Sequence, residues 1–390
     1  MDAMDSMRGA DALAQRYKRA TKDLSILRVV QPADTATHRK TFLDGWRNGT
    51  ATSPSFTYKE IPDGSLAELR MFCAEMRASG DPEDLWHGLI IEQAHRFLDR
   101  YEACASHDAV RITGVTTDEN GAPSQEAVED ALEILHAQRH LPATGIGDQY
   151  VQLIAADKVA TVLAAVLERQ GLDDWEVRIK HDMAAQLSVD ASTHGVNVNP
   201  GVLLSEDEIV RLIVHEIGTH VFRSVNASLG PTVLTLALSG HTATEEGLAI
   251  WNEGLGVPGR APARRTAVRV LAVDAALRGS FVDVVHALEP FVSLDDAFST
   301  AVRVKRGLID TSVPGCFAKD HVYLSGFRAV EKHLSEHPEE HALLMAAKWP
   351  LGYLHLLRGT GLVEFLGDRL RQPNREFTAE TRDAVRQVLA

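Results

Sequence analysis

The chain has 390 residues, of which 45% are apolar and 24% charged. That composition excludes disorder as an overall reading, and the length allows one large domain or two to three ordinary ones. With 40 basic against 54 acidic residues the net charge is −14, the wrong sign for general affinity to nucleic-acid phosphates or to an anionic membrane.

Three cysteines, Cys73, Cys104 and Cys316, are widely spaced and form no C-x-x-C pair. A disulfide framework is therefore not expected, and a reducing, cytoplasmic compartment fits best. Between Met1 and Leu24 charged residues interrupt every apolar step, so no export signal is expected. The longest apolar candidate, Tyr150 to Leu167, carries Asp157 and Lys158, so no membrane span is expected either.

The N-terminal segment reads as amphipathic helices with polar breaks. Ala51 to Ser65, with Pro54, Pro62 and Gly64, reads as a connector. Asp81-Pro82 reads as an N-cap and first helical position, opening a helix to about Cys104 with apolar residues at helical spacing. A polar stretch containing Gly114, Gly121 and Pro123 follows, and Ser124 then caps a helix to about Ala137. A long helix is expected over Asp148 to Gln170, ended by Gly171. Trp175 to Lys180 alternates apolar and polar residues, the period of a half-buried strand, and Gly195 to Gly201 repeats that pattern more briefly. Ser205 and Glu208 form an S-x-x-E capping box before an apolar-periodic helix. Helical segments continue to the C-terminus. The fold class is α+β, mostly helical, with a small mixed sheet. The most plausible division is a helical N-terminal region over 1–145 and a larger body over 146–390, or one compact unit.

The helix after the capping box contains His215-Glu216-Ile217-Gly218-Thr219-His220, an H-E-x-x-x-H pattern. Neutral imidazoles are good zinc ligands, and a carboxylate next to the first can handle the protons of an activated water. The familiar zinc-peptidase helix spaces its histidines at i and i+4. Here they lie at i and i+5, which on a regular helix is about 140° apart, against about 40° for i+4. A shared metal therefore demands a π-type turn or a helix end between His215 and His220, and Gly218 is consistent with such a distortion. With 17 histidines in the chain, surface histidines beside a solvated Glu216 are the competing reading. The segment His241 to Glu253 offers acids for a third ligand; the charged first turn of a helix equally accounts for Glu245-Glu246.

H-E-I-G-T-H-x-x-R-x-x-N, followed by E-E-G-L-A, resembles the tyrosine carboxypeptidase family, which includes microtubule-associated tyrosine carboxypeptidases and bacterial proteins with a QEGLA motif. The match runs through His215 to His220, Arg223, Asn226 and Glu246 to Ala249. Glu245 stands where the bacterial motif has Gln. Arg303-x-x-Arg306-Gly307 and Phe317-x-Lys319-Asp320-x-x-Tyr323-Leu324-x-Gly326 resemble later family blocks, and weaker similarity begins near Pro54-x-Phe56-x-Tyr58. The resemblance implies a zincin-like metallopeptidase body and one zinc ion per chain. It implies His215, His220 and Glu246 as ligands and Glu216 as general base and acid.

A carboxypeptidase must also hold a free carboxylate, a task for Arg or Lys. Arg223, Arg303, Arg306 and Lys319 are the candidates; each has a structural ion pair or a solvated charge as its alternative. Tyr323 is a candidate oxyanion donor or a half-buried core tyrosine. Asn226 either contacts substrate or orders the turn after the helix. The strand before the motif helix is a candidate for binding substrate main chain by strand addition. His194 and His241 read as structural or surface histidines. The expected reaction is hydrolysis near a peptide or protein C-terminus, with a large aromatic residue as the preference the resemblance implies. An endopeptidase, an aminopeptidase and a regulator with a vestigial site are the rivals. The acidic chain does not suggest an acidic tubulin tail as target.

Overall fold

A computed structural model of the chain describes residues 3–62, 64–79, 82, 84–138, 152–181, 183, 185–256 and 264–389. Helices dominate and the strands are short, as an α+β, mostly helical chain requires. No helix among the described residues is long and apolar enough to cross a membrane.

Local chemistry explains several element boundaries. Ser205 opens the helix Glu206–His215 through a complete capping box: its hydroxyl accepts from the Glu208 N–H, and the Glu208 carboxylate accepts from the Ser205 N–H at 2.9 Å. Ser124 caps Gln125–Ala137 in the expected place. The helix expected from Asp81 instead starts at Leu85, capped by Asp84, whose side chain accepts from the His87 N–H. Asp81 itself lies outside the described residues, as do Asp148 and the division expected near residue 145. The helix before Gly171 spans Ala156–Arg169. The polar stretch around Gly114 is helical, over Ala109–Asn120, because Asp108 caps it and Gly121, at φ 76°, ends it.

The chain divides into two compact units. The first comprises residues 1–11, 148–261 and 326–390; the second comprises 12–147 and 262–325. In the second, Phe42, Phe281 and Phe298 meet with ring centroids 5.1–5.4 Å apart at the centre of an apolar core.

The first unit holds the strands. β1 (Ile154–Ala155) pairs antiparallel with β5 (Leu203–Leu204). In a second sheet β2 (Glu176–Ile179) runs parallel to β4 (Gly195–Val198), and β3 (Leu187–Asp190) pairs antiparallel with the other edge of β4. The central β4 is fully buried and registers Val196 against Val177 and Val198 against Leu187. The helix Glu206–His215 buries Ile209, Val210, Ile213 and Val214. It packs against His241–Gly256 and Arg375–Leu389.

A glycine pair fixes how closely His241–Gly256 can approach Val322–Glu336. A Cβ on Gly247 would lie 2.3 Å from the Gly326 carbonyl carbon, and one on Gly326 would lie 2.0 Å from the Ala243 carbonyl oxygen. Both obstacles are backbone, so no rotamer change relieves them. Gly247→Ala should lower stability by about 3 kcal/mol, read from the urea unfolding midpoint; a loss below about 1 kcal/mol would show that the two helices can separate freely.

Candidate metal centre

The helix Glu206–His215 does not continue as a regular α-helix. Glu216–Val221 forms a π turn, and α-geometry resumes over Phe222–Ser228. The extra residue this turn absorbs brings His220 back onto the side of His215, the distortion that the i, i+5 spacing demands. Their rings lie 5.0 Å apart, centroid to centroid.

Two contacts hold the widened turn. The Thr219 hydroxyl donates to the Val214 carbonyl at 3.1 Å and accepts from the Asn252 amide at 2.9 Å. A Cβ on Gly218 would meet the Phe377 ring at 2.9 Å and Pro373 at 3.2 Å. Gly218 is thus needed for clearance under the C-terminal helix.

One ligand atom each from His215, His220 and Glu246 falls within a mutual distance of 4.8 Å. His215 Nε2 is 3.6 Å and His220 Nε2 3.8 Å from the same Glu246 oxygen, Oε2. Tetrahedral zinc ligands held at about 2.1 Å lie roughly 3.4 Å from one another. The spacing and the donor types, two imidazole nitrogens and one carboxylate oxygen, fit such an ion.

The other nitrogen of each imidazole is already engaged. His215 Nδ1 lies 2.9 Å from Glu253 Oε1, and His220 Nδ1 lies 2.8 Å from Glu245 Oε1. A carboxylate only accepts, so each Nδ1 carries a proton, and Nε2 is the nitrogen left facing Glu246. Arg211 pairs with Glu253 at 2.8 Å. Arg223 pairs with Glu245, and Lys348 Nζ stands 3.8 Å from it.

Charge at the centre follows from these partners. Burial disfavours the imidazolium of His215, but Glu246 and Glu253 outweigh it and push the pKa up to about 10. Burial would raise Glu245 and Glu253, yet Arg223 and Lys348 beside the first and Arg211 beside the second keep both ionised. Glu216 is buried, and burial raises its pKa even though His215 and His220 oppose the shift.

Arg223 and Asn226, expected to bind substrate, are fully buried. Arg223 donates to the carbonyls of Leu344 (2.9 Å) and Ala347, and Asn226 to that of Met345 (3.0 Å). These are the last carbonyls of the helix His341–Ala346 and the residue after it. The R-x-x-N pair therefore caps that helix, the structural alternative to a substrate role for both residues.

Tyr323, Arg306 and Lys319 belong to the second unit. There Arg303 grips Asp320 at 2.8 and 3.0 Å, with Arg306 at 3.4 Å, and the Arg269 guanidinium lies 4.2 Å from the Tyr323 ring centroid. His194, which is exposed, pairs with Asp174 and stacks on Trp175, and His241 bonds the Leu238 carbonyl, so the reading of both as structural or surface residues stands. The supporting roles of Glu245, Glu253, Thr219 and Asn252 escaped the sequence reading. Only an E-E-x-x-x-x-x-x-E run on a helix paired with H-E-x-x-x-H could have signalled the two outer carboxylates.

These features define a helical α+β protein with a partly buried His-His-Glu cluster whose donors suit a metal ion. A family model described as microtubule-associated tyrosine carboxypeptidase matches residues 41–366. The chain belongs to that family. It is 30% identical over 217 residues to the Homo sapiens microtubule-associated tyrosine carboxypeptidase 1, covering 53% of this chain and 44% of that protein. Its identity to the Mus musculus protein named putative tyrosine carboxypeptidase MATCAP2 is 37% over 133 residues, or 30% of this chain and 23% of that one. The chain spans less than half the length of these curated relatives.

The Asp320 cluster yields a pH test. Burial would raise this carboxyl, but Arg303, Arg306 and Arg269 hold it well below the usual carboxylate range. A depressed folded pKa adds stability above the unfolded value near 4 and loses it as pH falls toward the folded one. Asp320→Asn should therefore cost about 3–5 kcal/mol at neutral pH, and the difference from wild type should shrink as pH drops below about 4. A gap that stays constant through that range in urea titrations would show that Asp320 is not held ionised by its arginines.

Proposed function

We propose that the chain is a zinc-dependent carboxypeptidase with a zincin-like body, acting in a cytoplasmic setting. The observation that carries this reading is the convergence of His215 Nε2 and His220 Nε2 on Glu246 Oε2 across a π turn. His215, His220 and Glu246 would hold one zinc ion. Bound there, zinc would supply Lewis acidity, polarising the scissile carbonyl and making water acidic enough to attack near neutral pH.

Glu216 does the proton work. Its buried carboxylate, with a raised pKa, takes a proton from the attacking water as the oxygen bonds to the carbonyl carbon. It then gives that proton to the amine nitrogen as the carbon–nitrogen bond breaks. The direction of that shift favours holding the proton between the two transfers. Tyr323, Arg306 and Lys319 remain in the proposal only as substrate-binding candidates that the family resemblance implies. Relatives named tyrosine carboxypeptidases make a C-terminal tyrosine the first substrate to try. The three described cysteines are free and buried, which suits a reducing compartment.

Mass spectrometry of a peptide library tests the reaction. Zinc-loaded wild type should remove a C-terminal aromatic residue, Glu216→Gln should bind zinc but cleave at least 100-fold more slowly, and amidated C-termini should resist. Equal cleavage of amidated peptides would make the enzyme an endopeptidase, and no cleavage of any peptide would leave a regulator. His220→Ala should lower zinc content; unchanged stoichiometry would remove His220 from the ligand set.

Zinc binding should also follow pH with a defined sign. The metal-free His215 keeps its proton up to about 10, and zinc requires the neutral ring. Loading at neutral pH therefore releases that proton, and affinity should fall roughly tenfold per pH unit on acidification for each proton displaced. Chelator competition measures this, and a pH-independent affinity between about pH 6 and 8 would contradict it.

A further inference from the structure

We infer that Glu253 and Glu245 are positioning residues for the metal site, each fixing the tautomer and direction of one histidine ligand; the inference rests on the zinc reading above. Both come from the helix that carries Glu246. That helix runs opposite to the histidine segment, so Glu253 meets His215 at one end and Glu245 meets His220 at the other. Each Nδ1–H donates to its carboxylate at 2.8–2.9 Å, which leaves each Nε2 aimed at Glu246 Oε2. A carboxylate behind an imidazole also makes the ring a stronger donor to a metal.

Each carboxylate is in turn restrained. Arg211 holds Glu253, and Arg223 with Lys348 holds Glu245. The guanidinium groups keep the outer acids from swinging inward to become ligands. Two arginine–glutamate–histidine chains thus close on one point, from opposite ends of the π turn.

An ion pair alone makes a different prediction from a positioning hydrogen bond. Glutamine lacks the charge that pairs with arginine but keeps an oxygen that accepts from Nδ1–H; leucine keeps neither. Zinc affinity, measured by competition with a chromophoric chelator, should fall about 10–100-fold in Glu253→Leu. It should recover to within a few-fold in Glu253→Gln. Glu245→Leu and Glu245→Gln should behave in the same way for His220. If glutamine fails as badly as leucine, the acids serve as ion-pair partners and the inference is overturned. Unchanged affinity in all four variants overturns it as well.

Because a buried leucine beside an unpaired arginine can prevent folding, a measurement on wild type stands beside the variants. Nitrogen-15 NMR of zinc-loaded wild type should show both His215 and His220 protonated at Nδ1. Protonation at Nε2 of either ring would sink the assignment for that ring. A wild-type chain that binds no zinc refutes the proposed function, whereas wild type that binds zinc with Nε2 protonated refutes this inference alone.

Discussion

One extra residue in a helical turn is the constraint on which the candidate centre depends. In a regular helix His220 would sit about 140° around the axis from His215, and the imidazoles would face different neighbours. The π turn over Glu216–Val221 removes that divergence. Such a turn has poorer backbone hydrogen bonding than the α-helix on either side, so it persists only where its surroundings hold it. Thr219 supplies a hydroxyl to the Val214 carbonyl, and Asn252 anchors that hydroxyl from the facing helix. Phe377 and Pro373 close over Gly218, where no side chain would fit. The histidine spacing and the packing around it are therefore one feature: without the turn the spacing has no chemical use.

The facing helix is placed by an equally local fact. Gly247 follows Glu246 directly and lets its backbone touch the backbone at Gly326. A larger residue there would push the helix off its neighbour and move Glu246 with it. The glycine of E-E-G-L-A thus serves the placement of the adjacent ligand candidate through steric clearance, with no role in proton transfer.

Local signals were the legible part of this chain. The Ser205 capping box, the Ser124 cap, the β2 and β4 alternations and the need for a bulge after His215 all follow from residues close in sequence. Family membership was legible too, because the H-E-I-G-T-H and E-E-G-L-A blocks are specific. Non-local partners were not legible. Arg223 lies three residues after His220 and so shares its side of the helix, but nothing in the sequence says that the C-terminus of His341–Ala346 waits there to receive it. The Gly114 segment failed for a related reason. A Cβ on Gly114 would meet nothing within 4 Å, so this glycine marks no turn or close contact, and the buried Ile112 and Thr116 on the same helix outweigh a propensity cost of about 1 kcal/mol. β3 was missed because Leu187–Asp190 buries only Leu187 fully and shows no strong alternation.

The charges along the two facing segments form a pattern that favours a cation at their centre. Arg211 precedes His215 by four residues and Arg223 follows His220 by three, so each arginine lies on the side of its own histidine. The stripe they make, cation–imidazole–imidazole–cation, faces Glu253, Glu246 and Glu245 on the opposing helix, with Glu216 between the histidines in sequence. The outer acids are matched by Arg211, Arg223 and Lys348, while Glu216 and Glu246 lie beside the two imidazoles. Buried charge of one sign is costly unless it is compensated. A protonated His215 meets part of that cost. A divalent ion between the two Nε2 atoms and Glu246 Oε2 would meet it more fully, and would leave the imidazoles neutral, as ligands must be. On this view Glu245 adds a negative charge that the centre tolerates because Arg223, already seated on a helix C-terminus, has its charge directed at that position.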